Sequence, residues 1–256
     1  MTRRFNFLLL GMLLIVGLPY YWLLLETSPG NARAHAVSIG ELRSLSAANS
    51  GPLPSAVEIE LVGHRLLPGN LIAAGSGIKR RFVGLMVVHL QVPGGKPVII
   101  EPGRASGSDD SLLAVHLHND GPQHLAAARQ SAGLVIDLDA GPADGKPAAI
   151  APGIVVIPAP GHGPGTRMLF VRTASGAEYL FAGDVAPLGQ SWLELRNRPR
   201  LMTDYWFPED RRRVFEWLLT IRKLKAQAPA LHVIPGYDFE WLGAPESQSG
   251  ITVRLP

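Results

Sequence analysis

The 256-residue chain contains no cysteine, which excludes disulfide bonds and thiolate metal sites. Any metal ion would have to be bound by histidine, aspartate or glutamate. The chain also lacks a concentration of positive charge: its formal net charge is +3, and its basic residues are dispersed apart from short runs such as Arg211-Arg212-Arg213. We therefore expect no nucleic-acid partner, because such a partner would require a basic surface.

A second absence concerns nucleophilic catalysis. The sequence has no Gly-x-Ser-x-Gly turn of the kind that presents a serine nucleophile, so a serine hydrolase is not predicted. Apolar residues, in contrast, make up 46% of the chain, which also contains 28 glycines and 22 prolines. This composition excludes a disordered chain and predicts short strands and turns rather than a helical bundle.

One long apolar run lies near the N-terminus. Phe5 to Leu25 is 21 residues without a charge, which is enough to cross a membrane as a helix. Arg3 and Arg4 precede it and Glu26 follows, so the N-terminus is expected in the cytoplasm and the rest of the chain on the extracytoplasmic, periplasmic side. This pattern predicts a membrane anchor at residues 1–27, a linker at 28–54 and one domain at 55–256.

A cleaved signal peptide is the alternative to an anchor. Ala32-Arg33-Ala34 and Ala34-His35-Ala36 both match the small-residue pattern of a cleavage site. The length of the apolar run, and the aromatic residues Tyr20, Tyr21 and Trp22 near its end, favour the anchor. Both interpretations place the domain outside the cytoplasm.

The most informative segment runs from residue 154 to residue 186. An apolar strand ends at a turn that contains His162, and two alternating runs then form a predicted hairpin that ends at Gly183-Asp184. One imidazole and one carboxylate are therefore expected at neighbouring strand ends. Residues 192–200, which are basic and aromatic, are predicted to form a loop over the same place.

The segment PGHGPG, followed by a hairpin and LFAGD, resembles the signature of the metallo-β-lactamase-fold hydrolases. The longer segment from residue 151 to residue 186 resembles a membrane-anchored bacterial branch of that family. The resemblance implies an α+β fold, an αβ/βα sandwich of two mixed sheets flanked by helices, truncated and placed behind an N-terminal transmembrane helix. It also implies that His162 and Asp184 match zinc ligands of the family, and that an active member would be a metal-dependent hydrolase.

The family's HxHxDH motif has two candidate positions in this chain. The first is His116-Leu117-His118-Asn119-Asp120-Gly121, which follows the apolar run 112–115 and supplies both histidines and the aspartate but ends in glycine. The second is the stretch from Asp137 to Pro142, which follows a helix-like segment and a strand; there Asp137 and Asp139 stand in place of histidines. The first fits the ligand chemistry better, and the second fits the order of elements better.

The two alignments predict different metal sites. Under the first, His116, His118, His162 and Asp184 could hold one zinc ion at most, because the second metal position lacks its ligands at Gly121 and at Tyr237, where the family has histidines. Asp120 would be the remaining motif carboxylate. Under the second alignment the metal site is incomplete, and the domain is a membrane-anchored, non-catalytic relative. The small-molecule substrate or ligand is not predicted by either.

Overall fold

The structure of the chain, a computed structural model, describes residues 2–28, 30–101, 115–118, 120–142, 144–244 and 250–254. Two β-sheets form its centre. Their strands are β1 Ala56–Pro68, β2 Arg80–Gln91, β3 Val98–Glu101, β4 His116–Leu117, β5 Leu134–Asp137, β6 Ala148–Ala151, β7 Ile154–Pro158, β8 Arg167–Arg172, β9 Glu178–Gly183, β10 His232–Pro235 and β11 Thr252–Arg254. Most of the apolar run 112–115 lies outside the described residues.

The first sheet has the order β11-β1-β2-β3-β5, with β4 also paired to β1, and the second has the order β10-β9-β8-β7-β6. Hairpins make most neighbours antiparallel. The pairs β1–β11, β3–β5 and β9–β10 are parallel. Both sheets are therefore mixed, which confirms the α+β architecture implied by the resemblance.

The helices cover the outer faces of the sheets. They are α1 Ile39–Ser46, α2 Gly69–Ile72, α3 Gly121–Ser131, α4 Gly189–Leu193, α5 Arg200–Tyr205 and α6 Arg211–Gln227, with a 3₁₀ turn at Glu240–Gly243. The helix α6 begins at Arg211 because the Asp210 side chain accepts a hydrogen bond from the Arg213 amide at 3.0 Å and caps the helix there.

Strand β8 illustrates why the sheets pack in layers. Successive side chains of a strand point to opposite faces. Leu169 and Val171 pack between the two sheets, whereas Met168 and Phe170 pack against α1 and α6 on the other side. The helix α3 covers the outer face of the first sheet, where Ala128 packs against its strands. The result is four layers: a helix, two sheets and a pair of helices.

A separate helix precedes this sandwich. It spans Thr2–Leu25, includes two short π-helical turns, and is long and apolar enough to cross a membrane. Its most apolar stretch is not buried by the rest of the described chain. The predicted apolar run lies within it.

Candidate functional site

The second sheet presents a carboxylate at the end of β9. Gly183 ends this strand with a φ of +51°, a left-handed conformation that favours glycine. A Cβ there would also lie only 2.9 Å from the side chain of Leu138. The turn places Asp184 directly after the strand, and its side chain is buried at the floor of a cleft.

His162 lies beside this carboxylate. Its Nε2 is 3.6 Å from Asp184 Oδ1, and its Nδ1 is 2.9 Å from Glu209 Oε2. The loop that carries it is held by α6, since the Trp217 indole donates to the carbonyl of Pro160 at 3.2 Å. The structure therefore brings together the two residues that the PGH and GD segments supply.

An arginine from the loop before α5 binds the same carboxylate. Arg198 Nη2 donates to Asp184 Oδ1 at 2.5 Å, and Nη1 donates to the Asp184 carbonyl at 2.7 Å and to Glu209 Oε2 at 3.2 Å. The guanidinium is almost completely buried. Arg198, Asp184, His162 and Glu209 thus form a closed ring in which basic and acidic side chains alternate.

The second oxygen of Asp184 is also engaged. The Tyr237 hydroxyl donates to Oδ2 at 2.8 Å. Burial alone would raise the pKa of the Asp184 carboxyl, but the charges of Arg198 and His162 and the hydrogen bond from Tyr237 together hold that pKa below its ordinary value. Burial and the negative charge of Asp184 raise the pKa of the Tyr237 phenol well above its usual value, so Tyr237 stays a neutral donor.

A second carboxyl group lies against Asp184. Asp139 follows β5 in the turn, accepts a hydrogen bond from Thr166 Oγ1 at 3.2 Å, and shares a hydrogen bond with Asp184. Burial, and then the charge of Asp184 and this hydrogen bond, raise the pKa of Asp139 to about 7. Asp139 is therefore protonated at mildly acidic pH and loses its proton around neutral pH, while Asp184 stays ionised. Asp137, in contrast, turns its side chain back to the amide of Asp139 at 2.8 Å.

The side chains around Asp184 do not fit the ligand set of a zinc ion. Zinc in proteins takes three or four ligands with free lone pairs. Beside Asp184 the described residues supply one imidazole, that of His162, and both oxygens of Asp184 also accept hydrogen bonds, from Arg198 and Tyr237. A guanidinium charge also lies where a cation would have to approach Asp184. Within the described ranges, no group of three histidine or carboxylate side chains is arranged to hold a metal ion.

The histidines of the first motif candidate lie next to a third histidine. The rings of His116 and His118 are centred 6.0 and 5.4 Å from that of His64, on β1. The neighbouring β1 residue, Arg65, lines the cleft instead, because adjacent strand residues face opposite sides. Asp120 is the residue before α3, and its carbonyl accepts from the His124 amide at 2.9 Å.

The two positions that lack family histidines have structural reasons for their residues. Gly121 begins α3, and a Cβ there would collide with the carbonyl of Val62, so no imidazole fits without a backbone shift. Tyr237 follows β10, with its phenol buried on Asp184.

The cleft above Asp184 lies between the sheet edge and two short helices, and its cavity volume is about 80 Å³. Arg65, His162, Arg198 and Tyr237 line its polar end. Sequence reasoning assigned no role to Arg65, Arg198 or Glu209. A single arginine has no spacing pattern that would identify it as a site residue. The one signal for Arg198 was the prediction that residues 192–200 form a loop over the site.

Comparison with known proteins supports the architecture. No family model matches the chain, and no curated protein is significantly similar to it in sequence. Solved structures are similar in fold. One is an N-acyl homoserine lactone hydrolase with N-hexanoyl-L-homoserine bound at its catalytic metal centre, which is 12% identical with a TM-score of 0.57; 73% of this chain and 95% of that chain are covered.

A second is the AiiA protein of B. thuringiensis with N-decanoyl-L-homoserine bound at the active site, 11% identical, with a TM-score of 0.58 and coverage of 73% and 95%. These neighbours are metallo-β-lactamase-fold hydrolases. The chain described here has the metallo-β-lactamase-like fold. At this level of identity the likeness concerns the fold alone, and the site must be judged by its own residues.

Proposed function

We propose that this chain is a membrane-anchored binding protein with a metallo-β-lactamase-like fold, in which an arginine rather than a metal ion neutralises the central carboxylate. The observation that carries the proposal is the contact between Arg198 and Asp184. On this interpretation the metal site is incomplete, and the protein does not carry out dinuclear zinc hydrolysis.

The cost of admitting a metal supports this view. A zinc ion at Asp184 would have to displace the guanidinium of Arg198, which is almost completely buried and also bound to Glu209. Breaking a buried ion pair costs about 3–5 kcal/mol, because a charge is left without its partner. The Tyr237 phenol would have to move as well, since its hydroxyl is bound to the other oxygen.

The alternative is a mononuclear zinc hydrolase that uses His116, His118, His162 and Asp184. It would require the first two histidines to leave their contacts with His64 and turn toward the cleft. In the structure it is Asp139, from the second motif candidate, that contacts Asp184. This contact favours the alignment in which the family's histidines are missing.

The end of the N-terminal helix is fixed to the domain, which supports an anchor. Arg200 lies 4.1 Å above the ring of Trp22 and 2.9 Å from the Glu26 carboxylate. Arg211 reaches the same carboxylate at 3.1 Å. Cleavage after Ala34 would remove all of these contacts, because Trp22 and Glu26 both precede the cleavage site. We expect the mature protein to keep residues 5–25, which its mass would show, with the domain on the extracytoplasmic side.

Zinc content tests the proposal. The full-length chain is purified in detergent and dialysed against zinc, in parallel with the Asp184→Asn variant. The two proteins should differ by less than about 0.1 equivalent of bound zinc, because the site lacks three ligands. Arg212→Met, an exposed substitution on α6, serves as the control. One equivalent of zinc that is lost in both Asp184→Asn and His162→Ala would contradict the proposal.

A further inference from the structure

We propose that the domain binds the bilayer through a second surface beside the apolar helix, and that this surface takes anionic lipid head groups. It consists of Ile78, Lys79, Arg80, Tyr205 and Trp206, which we call the helix-end patch. The inference rests on the proposed function, since it requires the membrane anchor. It goes beyond the anchor because it assigns the face of the domain that lies on the membrane.

The last turn of the apolar helix is bound to the domain from two sides. It packs against α2 and against α5. Just beyond α2, the Gly75 amide donates a hydrogen bond to the Leu24 carbonyl at 3.0 Å, and at the start of α5, Arg200 lies 4.1 Å above the ring of Trp22. These contacts fix the direction of the helix relative to the domain. When the helix crosses a bilayer, one particular face of the domain is therefore turned toward the lipid.

The contacts of Asn70 show that the domain reaches the level of the membrane interface. Its side-chain amide donates to the Tyr20 hydroxyl at 3.1 Å and accepts from the Gly77 amide at 2.7 Å. Tyr20 precedes the end of the helix at Leu25 by about 7–8 Å along the axis, in the aromatic stretch suited to a membrane interface. Ile78 directly follows Gly77 and is 76% exposed. An apolar side chain is therefore presented at the depth of the interface.

The aromatic part of the patch lies at the end of α5, the second helix that packs on the anchor. Tyr205 and Trp206 are 69% and 46% exposed. Each combines a large apolar ring with one polar group, and such side chains are favourable at a membrane interface, where the ring leaves water and the polar group stays hydrated. Exposed apolar side chains on both sides of the helix end therefore fit a lipid surface.

The charges beside the helix end favour anionic head groups. The carboxylates there have basic partners; the pairs are Glu26 with Arg200 and Arg211, Asp204 with Arg200, Glu194 with Arg196, and Glu240 with Arg81. Lys79 and Arg80 are exposed and form no ion pair with another of the described residues. Basic residues close to a bilayer are attracted to anionic lipids. Lys79 and Arg80 therefore supply the charge complementarity of the patch.

The test uses the lack of cysteine in the chain, since an introduced cysteine is then the only one. The full-length chain with Ile78→Cys or Tyr205→Cys is labelled with a fluorophore and placed in nanodiscs of phosphatidylcholine and phosphatidylglycerol in equal amounts. Lipids with a nitroxide near the head group should quench both probes about as strongly as a probe in Tyr21→Cys, at the end of the helix. Ala174→Cys is the control, because it is exposed in the turn before β9, about 20 Å from the end of that strand at the cleft. Its probe should be quenched little.

A second comparison tests the anionic head groups. In nanodiscs with phosphatidylglycerol, Lys79→Gln and Arg80→Gln should each lower the ratio of docked to undocked domain, measured by quenching of the Tyr205→Cys probe, by roughly fivefold. In phosphatidylcholine alone the two substitutions should have little effect. The charge-conserving variants Lys79→Arg and Arg80→Lys should behave as the parent protein, and so should Arg222→Gln, an exposed change on α6.

Probes at Ile78→Cys and Tyr205→Cys that are quenched no more than the Ala174→Cys probe would overturn the inference. Equal quenching in both kinds of nanodisc, unchanged by Lys79→Gln and Arg80→Gln, would overturn the choice of anionic head groups. A probe in Ile15→Cys, inside the apolar helix, separates these results from a failure of the proposed function. If lipids with a nitroxide deep in the acyl chain do not quench it, the anchor itself is rejected; if they do while the patch stays unquenched, the patch alone is rejected.

Discussion

His162 and the pair His116 and His118 lie in two regions that hold imidazoles in different ways. His162 is positioned by charge, with Glu209 on one nitrogen and Asp184 near the other. The pair instead packs against a third imidazole, that of His64. Burial, and then the nearby imidazoles, lower the pKa of His64, which favours its neutral form. The same residue type, histidine, therefore belongs to a network of charged side chains in one region and to a cluster of tilted imidazole rings in the other.

The difference follows from where the strands end. Asp184 and His162 follow two strands of the second sheet, β9 and β7, which lie on either side of β8. Their loops meet at one edge, where Arg198 and Glu209 also arrive. The strand β4, in contrast, is two residues long and pairs with the middle of β1. A short motif forms a site only when the topology brings its side chains to the same edge.

The largest expected effect breaks the charged network. Arg198→Met removes the buried partner of both Asp184 and Glu209, and we expect it to lower the free energy of unfolding by about 3–5 kcal/mol. Urea unfolding of the full-length chain in detergent measures this change. Arg212→Met is the matched control, because its side chain is 70% exposed, and should change stability by about 0.5 kcal/mol or less. A loss below 1 kcal/mol for Arg198→Met would show that the pair is not needed.

A smaller effect concerns the second oxygen of Asp184. Tyr237→Phe removes a hydrogen bond to a buried carboxylate, and should cost about 1–3 kcal/mol. The pKa of Asp184 is held low, so its contribution to stability is present above its unfolded pKa and is lost as pH falls. In the variant, that loss should be smaller and should be complete at a higher pH, as unfolding measured between pH 3 and 7 would show. Tyr205→Phe, at an exposed position, should leave the profile unchanged.

The Asp139 carboxyl gives a third and opposite pH dependence. Its pKa is raised to about 7. Between its ordinary pKa and 7, the native state therefore binds more protons than the unfolded state, so stability from this group is complete at acidic pH and falls as pH rises. Asp139→Asn should remove this decline. The free energy of unfolding of the variant minus that of the wild type should therefore be about 1–2 kcal/mol larger at pH 8 than at pH 5. Parallel profiles for the two proteins would contradict the raised pKa.

Much of the fold was predictable from the sequence, because the periodicity of apolar residues indicates which segments are strands and helices, and the resemblance indicates how they are arranged. The hairpin ending at Gly183-Asp184 and the apolar helix were located correctly, and the PGH and GD segments correctly predicted that His162 and Asp184 would meet. These features depend on local order along the chain and on neighbouring strands. They do not require knowledge of distant contacts.

The cation at the site was not predictable in the same way. Arg198 reaches Asp184 from a loop 14 residues later, and Glu209 reaches His162 from a point 47 residues later. A single arginine in a loop has no periodicity and no partner visible in the sequence. Its burial becomes apparent only when α5, α6 and the second sheet are placed together. The choice between the two motif candidates likewise depended on which strand end faced Asp184.

The smallest expected effect tests the other side of the comparison. His116 is exposed on β4, and its ring meets His64 at 6.0 Å between centroids. If it does not bind a metal, His116→Ala should change the free energy of unfolding by about 0.5 kcal/mol or less, and equally with and without zinc. A zinc ion held jointly by His116 and His162 would instead stabilise the wild type by mass action, since only the native state would bind it.

Thermal unfolding in zinc and in chelator distinguishes these cases. A zinc-dependent rise in Tm that disappears in both His116→Ala and His162→Ala would support the mononuclear site. The structure leads us to expect no such rise, because the guanidinium of Arg198 neutralises the carboxylate of Asp184, and no group of three histidine or carboxylate side chains among the described residues is arranged to hold a metal ion.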